Sequence, residues 1–345
     1  MFEVQGDIAT NVVRQLLPTL LGSVTSRRHT PSAEAYAAYL QGNHFWSPNT
    51  YGLLQRDDAI TYYEQALQLD EHYAEAMVGL ADARFGYHFG VRADTDVAKA
   101  RQLLDRAIAL DPQLGHPYIN RAAIARLYDF DWAVADVSLQ RARDLEPNNP
   151  YVLRQAAYLA ETLGRFGESE SLIRQSLERD PLIADSYLLL GRLQLAAGNA
   201  AWEASWRKYA ELAAGGFAAH YMIALTHLLR KEPEKALAEA QLEPNGIFRL
   251  QALALVYHDL HRKAESDAVL RELIEKHAGQ VPFLIAELHA YRGDADQAMH
   301  WLEQAYQNRD ADLTRLLTSR LPRTLAHDPR YQAFLRKMNL PTQTG

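Results

Sequence analysis

Three stretches of the chain repeat one another: ARQLLDRAIALDP at residues 100–112, ADVSLQRARDLEP at 135–147 and SESLIRQSLERDP at 169–181. Each has a small residue, a large apolar one four positions on, a second small one three further, and proline five beyond that. The sets are Ala100, Leu104, Ala107, Pro112; Ala135, Leu139, Ala142, Pro147; and Ser169, Ile173, Ser176, Pro181. The second small residue recurs at intervals of 35 and 34. Residues three and four apart share one helix face. Small residues there let another helix approach closely, and the large one fills the groove between them. Proline then stops the helix, because it lacks the N–H and clashes with the preceding turn.

The neighbouring helix carries its own marks. Met77, Tyr118, Leu153 and Tyr187 hold a large apolar position, with Leu80 and Leu190 three residues later. Gly191 takes the small position, which Ala81, Ala122 and Ala157 take elsewhere. Gly164, before Arg165 and Phe166, reads as a helix-ending turn. The series opens with Ala59, Tyr63 and Ala66, after an insertion containing Ser47, Pro48, Asn49 and Thr50. An extra loop near 86–94 lengthens the next unit. Beyond residue 200 the pattern weakens: Glu203, Arg207 and Ala210 read as a second helix with one small residue. Ser266, Leu270, Leu273 and Ala298, Leu302, Ala305 restore it.

A period of about 34 residues is that of the tetratricopeptide repeat, and the chain resembles that superfamily over roughly residues 32–310. The expected fold is all-α, a right-handed α-solenoid of about eight tetratricopeptide-like helix-turn-helix repeats. The expected organisation is an N-terminal helix and linker at 1–30, well-formed repeats at 31–215, degenerate repeats at 216–310, and capping helices with a tail at 311–345. A narrower resemblance lies in FEVQGDIA at 2–9, SAEAYAAYLQG at 32–42, AITYYEQALQLD at 59–70, GDADQAMHWLEQAY at 293–306 and DPRYQAFLRKMNL at 328–340. These resemble one group of bacterial regulators. There a tetratricopeptide region follows a winged-helix DNA-binding domain or an adenylate or guanylate cyclase domain. The resemblance implies a sensing or partner-binding module detached from its output.

Composition narrows the function. The chain has 345 residues, 48% of them hydrophobic, and a net charge of −7. No long-range positive field favours nucleic acid, so direct nucleic-acid binding is not expected. The absence of cysteine excludes disulfides, thiolate zinc sites and thiol catalysis. No run reaches the roughly 18 apolar residues of a membrane helix, and the first residues lack a basic and apolar leader. A cytoplasmic protein without membrane contact is expected.

Catalytic motifs are missing. No phosphate-binding glycine loop and no nucleophile elbow occurs. His258 and His261 flank Asp259 and Leu260, and His220 and His227 lie seven apart, but neither set has a second ligand pair at fixed distance. No enzyme activity, metal or cofactor is expected. Tyr36, Tyr39, Tyr62, Tyr63, Tyr118 and Tyr187 fall at packing positions. Trp202, Trp206 and Tyr209 either fill a loose helix interface or form an exposed contact patch.

In the repeat family, first helices line the ligand groove. The equivalent positions here are Glu75, Val78, Asp82, Phe85; His116, Ile119, Ala123, Arg126; Tyr151, Arg154, Tyr158, Glu161; and Asp185, Leu188, Arg192, Leu195. Arg126, Arg154 and Arg192 come from three neighbouring repeats, with Tyr151 and Tyr158 among them. Arginine forks onto carboxylates and tyrosine offers rigid amphipathic area. The expected partner is therefore a protein or peptide, acidic and partly apolar, gripped by Arg126, Tyr151, Arg154, Tyr158 and Arg192. The competing reading pairs these arginines with Glu161, Asp185 and other neighbours. Val78, Asp82, Ile119 and Ala123 stand where a chaperone-tail clamp would need lysine and asparagine, so such a tail is not the expected ligand. The oligomeric state stays open, with 47–55 and 86–94 as candidate dimer contacts.

Overall fold

The computed structural model describes residues 31–46, 56–86, 93–213, 218–319 and 324–342. The expected helix within 1–30, the insertion at 47–55 and most of the loop at 86–94 lie outside these residues.

Among the described residues all regular structure is helical. The helices come in eight consecutive pairs, as the 34-residue period predicts: α1 Ala33–Phe45 with α2 Arg56–Leu69; α3 Ala74–Phe85 with α4 Asp94–Leu110; α5 His116–Ile124 with α6 Trp132–Leu145; α7 Pro150–Thr162 with α8 Phe166–Arg179; α9 Ala184–Ala196 with α10 Trp202–Leu212; α11 Ala219–Leu229 with α12 Pro233–Leu242; α13 Gly246–Asp259 with α14 Lys263–His277; and α15 Pro282–Tyr291 with α16 Ala295–Gln307. A 3₁₀ turn at Ala311–Arg315 and a last helix, α17 Pro329–Lys337, follow. The chain forms two compact units, divided within α5 between Arg121 and Ala122.

The small–large–small code is the packing seam. Ala100, Leu104, Ala107, Ala135, Ala142, Ser169, Ile173 and Ser176 are wholly buried, and Leu139 nearly so. Where serine replaces alanine, its hydroxyl bonds a carbonyl of the preceding helix. Ser169 Oγ donates to Ala157 O at 2.7 Å, and Ser266 Oγ to Ala254 O at 2.8 Å. These two pairs occupy the same place in two repeats, and each satisfies a buried hydroxyl that would otherwise cost stability.

Helix ends follow local chemistry. Ser32, Asp131, Asn149, Asn245 and Asp294 cap the helices they precede by accepting backbone N–H bonds. Aspartate marks the stop after α2, α4 and α8, whereas α6 stops at Glu146 and Pro147. Asp70, Asp111 and Asp180 each accept from the N–H two residues on, yet Glu71 stands where the others have proline. Five first helices, α7, α9, α11, α13 and α15, end in a left-handed residue: Gly164, Gly198 and Gly293, but also Lys231 and His261. The same backbone bond closes all five turns, for example Arg165 N to Ala160 O and Arg262 N to Tyr257 O, both 2.8 Å.

One register differs from expectation. In α10 the buried face is Ser205, Trp206 and Tyr209, while Arg207 is exposed. The repeat code therefore runs through Trp202, Trp206 and Tyr209, one residue earlier than Glu203, Arg207 and Ala210. Gly191 on α9 leaves room for the Trp206 indole at the large position, while Trp202 and Tyr209 stand where other repeats have small residues.

Within the second unit the C-terminal segment returns to earlier repeats. The Trp132 indole N–H donates to Met338 O at 2.7 Å, Phe130 stacks on Tyr306, and Tyr331, Phe334 and Leu335 of α17 are buried.

Candidate partner-binding face

On α7, Tyr151, Arg154, Tyr158 and Glu161 are spaced three, four and three, so they share one face. Asp185, Leu188, Arg192 and Leu195 repeat the spacing on α9. Arg126 reaches the same neighbourhood from a π turn, Ala125–Asp129, that prolongs α5 and ends at left-handed Phe130. A π turn widens the helix by a residue and re-aims the side chains it carries.

The structure brings all five predicted residues together. The Arg126 guanidinium carbon lies 5.2 Å from the Tyr158 ring centre and that of Arg192 5.8 Å from the same ring, while Arg154 lies 5.0 Å from that of Tyr151. These are cation–π distances. The Tyr158 hydroxyl donates to Asp185 O at 3.4 Å.

The three arginines differ in how far the chain already uses them. Arg192 forks onto Glu161, with Nε and Nη2 each 2.9 Å from a carboxylate oxygen. Glu161 is almost wholly buried and also accepts from Thr318 Oγ1 at 2.7 Å. Burial pushes the Arg192 pKa down, but adjacent Glu161 more than offsets it and the net direction is up. Arg126 is buried, with Nη2 3.4 Å from Gln155 Oε1. Arg154 makes one long contact, Nη1 to Asp185 Oδ2 at 3.5 Å. Its buried Nε has no hydrogen-bond partner among the described residues. Burial raises the Asp185 carboxyl to about 7, against the lowering effect of Arg192. Asp185 is thus an incomplete counter-ion for Arg154 near neutral pH.

A second buried fork lies further along the same unit. Arg315 Nη1 and Nη2 donate to Glu287 at 3.1 and 2.9 Å. Burial lowers the Arg315 pKa, and Glu287 and Asp312 reverse that and raise it. Nothing in the sequence flags Thr318 as a partner of Glu161 across 157 positions, because that pairing depends on the path of the C-terminal segment.

Two of the four histidines considered as ligands bond carboxylates. His220 and His227 each place Nδ1 2.8 Å from one, Glu239 and Glu232 respectively. Among the described residues no group of three or more histidines and carboxylates is arranged to hold a metal ion. Nor is any described helix long and apolar enough to cross a membrane. Among the described residues the face is a network of guanidinium, phenol and carboxylate groups.

No family model and no curated protein matches this chain. Solved structures do. The human IFIT1 dimer with PPP-AAAA is similar with a TM-score of 0.51 and 15% identity, over 88% of this chain and 78% of that one. Yeast Tom70 is similar at 0.49 and 17%, over 92% and 70%. A tetratricopeptide repeat protein from Parabacteroides merdae is similar at 0.49 and 16%, over 74% and 98%. With its eight helix pairs and 34-residue period, the chain has the tetratricopeptide-type α-solenoid fold. At these identities the likeness extends to the fold alone.

Proposed function

We propose that this chain is a non-catalytic interaction module that takes a partner protein or peptide on the first-helix face of its second unit. The supporting observation is Arg154. Its guanidinium carbon lies 5.0 Å from the Tyr151 ring centre, its Nε lacks an acceptor among the described residues, and its ionic neighbour among them is Asp185, whose carboxyl burial raises. A carboxylate from a partner would complete that guanidinium, so the preferred partner segment is acidic. Tyr151 supplies the apolar contact area. Arg126, Tyr158 and Arg192 hold the face in shape, since Arg192 is already committed to Glu161.

The test is capture from the native host lysate, then calorimetry with the purified partner, comparing the parent with Arg154→Ala and Tyr151→Ala. Loss of affinity in both variants with unchanged helicity is the expected result. A partner retained equally by both would move the binding site off this face.

The resemblance of residues 2–9, 32–42 and 293–306 to bacterial regulators favours a second form of the same reading. In it the module regulates a DNA-binding or nucleotide cyclase output. Sequencing the genomic frame upstream of Met1 tests it; a frame without such a segment, and no such protein among captured partners, would set it aside.

A further inference from the structure

The first unit carries a face of opposite character. Tyr36, Tyr39 and Asn43 share one face of α1, and Glu75 and Asp82 lie two turns apart on α3. Tyr39 gathers the aromatic rings, with centres 5.1 Å from Tyr73, 6.0 Å from Tyr63 and 6.3 Å from Tyr36. The Tyr63 hydroxyl donates to Asn43 Oδ1 at 2.7 Å. Burial raises the Tyr39 pKa, and the negative charges of Glu75 and Asp82 add to that. Both carboxylates therefore bear on the tyrosine cluster.

Asp82 is the anomaly. The residue is only 7% exposed, and Oδ1 has no hydrogen-bond partner among the described residues. Oδ2 lies 3.2 Å from His116 Nε2, and the His116 side chain is more than half exposed. A buried carboxylate oxygen without a donor has lost its hydration and gained nothing in exchange. A cation carried by a ligand would make up that loss.

We propose that this face is a receptor for an arginine side chain presented by a partner protein. A planar guanidinium fits both halves of the site. Its face stacks on the half-buried ring of Tyr39, and its forked N–H groups reach Asp82 and Glu75 once the exposed His116 ring swings aside. The charge is opposite to that expected of the second unit's ligand, so the two faces read different segments. This inference does not depend on the Arg154 reading.

The experiment titrates the full-length chain with N-acetyl-arginine amide and with uncharged N-acetyl-citrulline amide. It follows the His116 ring resonance by NMR, assigned through His116→Gln. The arginine derivative should shift that resonance saturably and the citrulline derivative should not. Asp82→Asn should weaken binding about tenfold, as expected for a charge-assisted bond. Glu75→Gln, on a partly exposed residue, should weaken it with the fold intact even if Asp82→Asn disturbs packing. Arg154→Ala should leave it unchanged. Equal shifts with both derivatives, no shift with either, or unchanged affinity in Glu75→Gln and Asp82→Asn would overturn the assignment.

Discussion

Gly191 of α9 lies against the indole of Trp206 of α10, so closely that a β-carbon at 191 would overlap the indole ring. The same indole donates to Leu188 O at 3.3 Å, which fixes its position over α9. The two residues form one packing unit: the absent side chain is the space the large one fills. Gly191→Ala should therefore destabilise the second unit by about 1–3 kcal/mol through overpacking. Gly191→Ala with Trp206→Leu should lose less than the two changes added. Urea unfolding of the four proteins in the cycle measures this, and strict additivity would refute the coupling.

That pair also shows where the sequence could be read and where it could not. Leu104, Ile173 and Leu302 announce their repeats because small residues flank them at fixed spacing, and all three are buried. Trp202 and Tyr209 stand in the small positions, so the small-residue code points one residue away, to Glu203, Arg207 and Ala210. The large position, Trp206, is matched by Gly191 on the neighbouring helix, and a pattern taken from one helix cannot express that match. Trp206→Ala should cost about 3–5 kcal/mol, whereas Arg207→Ala should stay within about 0.5 kcal/mol. Similar losses for both would restore the earlier register.

The proposed binding face was legible to a similar depth. Helical spacing is enough to place Arg154, Arg192, Tyr151 and Tyr158 together, since it depends only on the repeat length, whereas Arg126 joins them from the π turn Ala125–Asp129. Which arginine is committed depends on the return of the C-terminal segment: Thr318 completes Glu161, and Glu161 holds Arg192. Glu161→Ala would leave a nearly buried guanidinium without its counter-ion, a loss of about 3–5 kcal/mol. Arg330→Ala breaks pairs with Asp296 and Asp328 at a half-exposed site, where solvent screens the charges, and should barely move the melting temperature. Thermal melting of both variants distinguishes the two kinds of pair, and equal small shifts would show that Glu161 is not needed to neutralise Arg192.

Lys231 and His261 hold the left-handed turn that glycine holds at 164, 198 and 293. A side chain there carries a conformational cost that glycine does not, while glycine loses more freedom on folding. The net for Lys231→Gly or His261→Gly should be a gain of about 0.5–1 kcal/mol. Both backbone bonds, Glu232 N to His227 O and Arg262 N to Tyr257 O, stay in place. A fall in melting temperature in both variants would mean that these side chains stabilise their turns by contacts worth more than the strain.

Asp185 gives the face a dependence on pH. Burial raises its carboxyl to about 7, against about 3.9 in an unfolded chain. Between those values the folded state holds a proton that the unfolded state has released, so this residue's contribution to stability is full below about pH 4 and is lost as pH rises towards 7. Asp185→Asn removes the ionisation. The variant should gain stability relative to the parent on going from pH 4 to pH 8, and a difference independent of pH would place the titration elsewhere. The same proton governs binding. Above about pH 7 the ionised Asp185 competes for Arg154 with a partner's carboxylate, and below it Arg154 is left to the partner. Affinity for an acidic segment should therefore rise from pH 8 to pH 6 in the parent and change little in Asp185→Asn. Calorimetry at both pH values measures the effect, and an equal rise in the two proteins would assign the proton to the ligand.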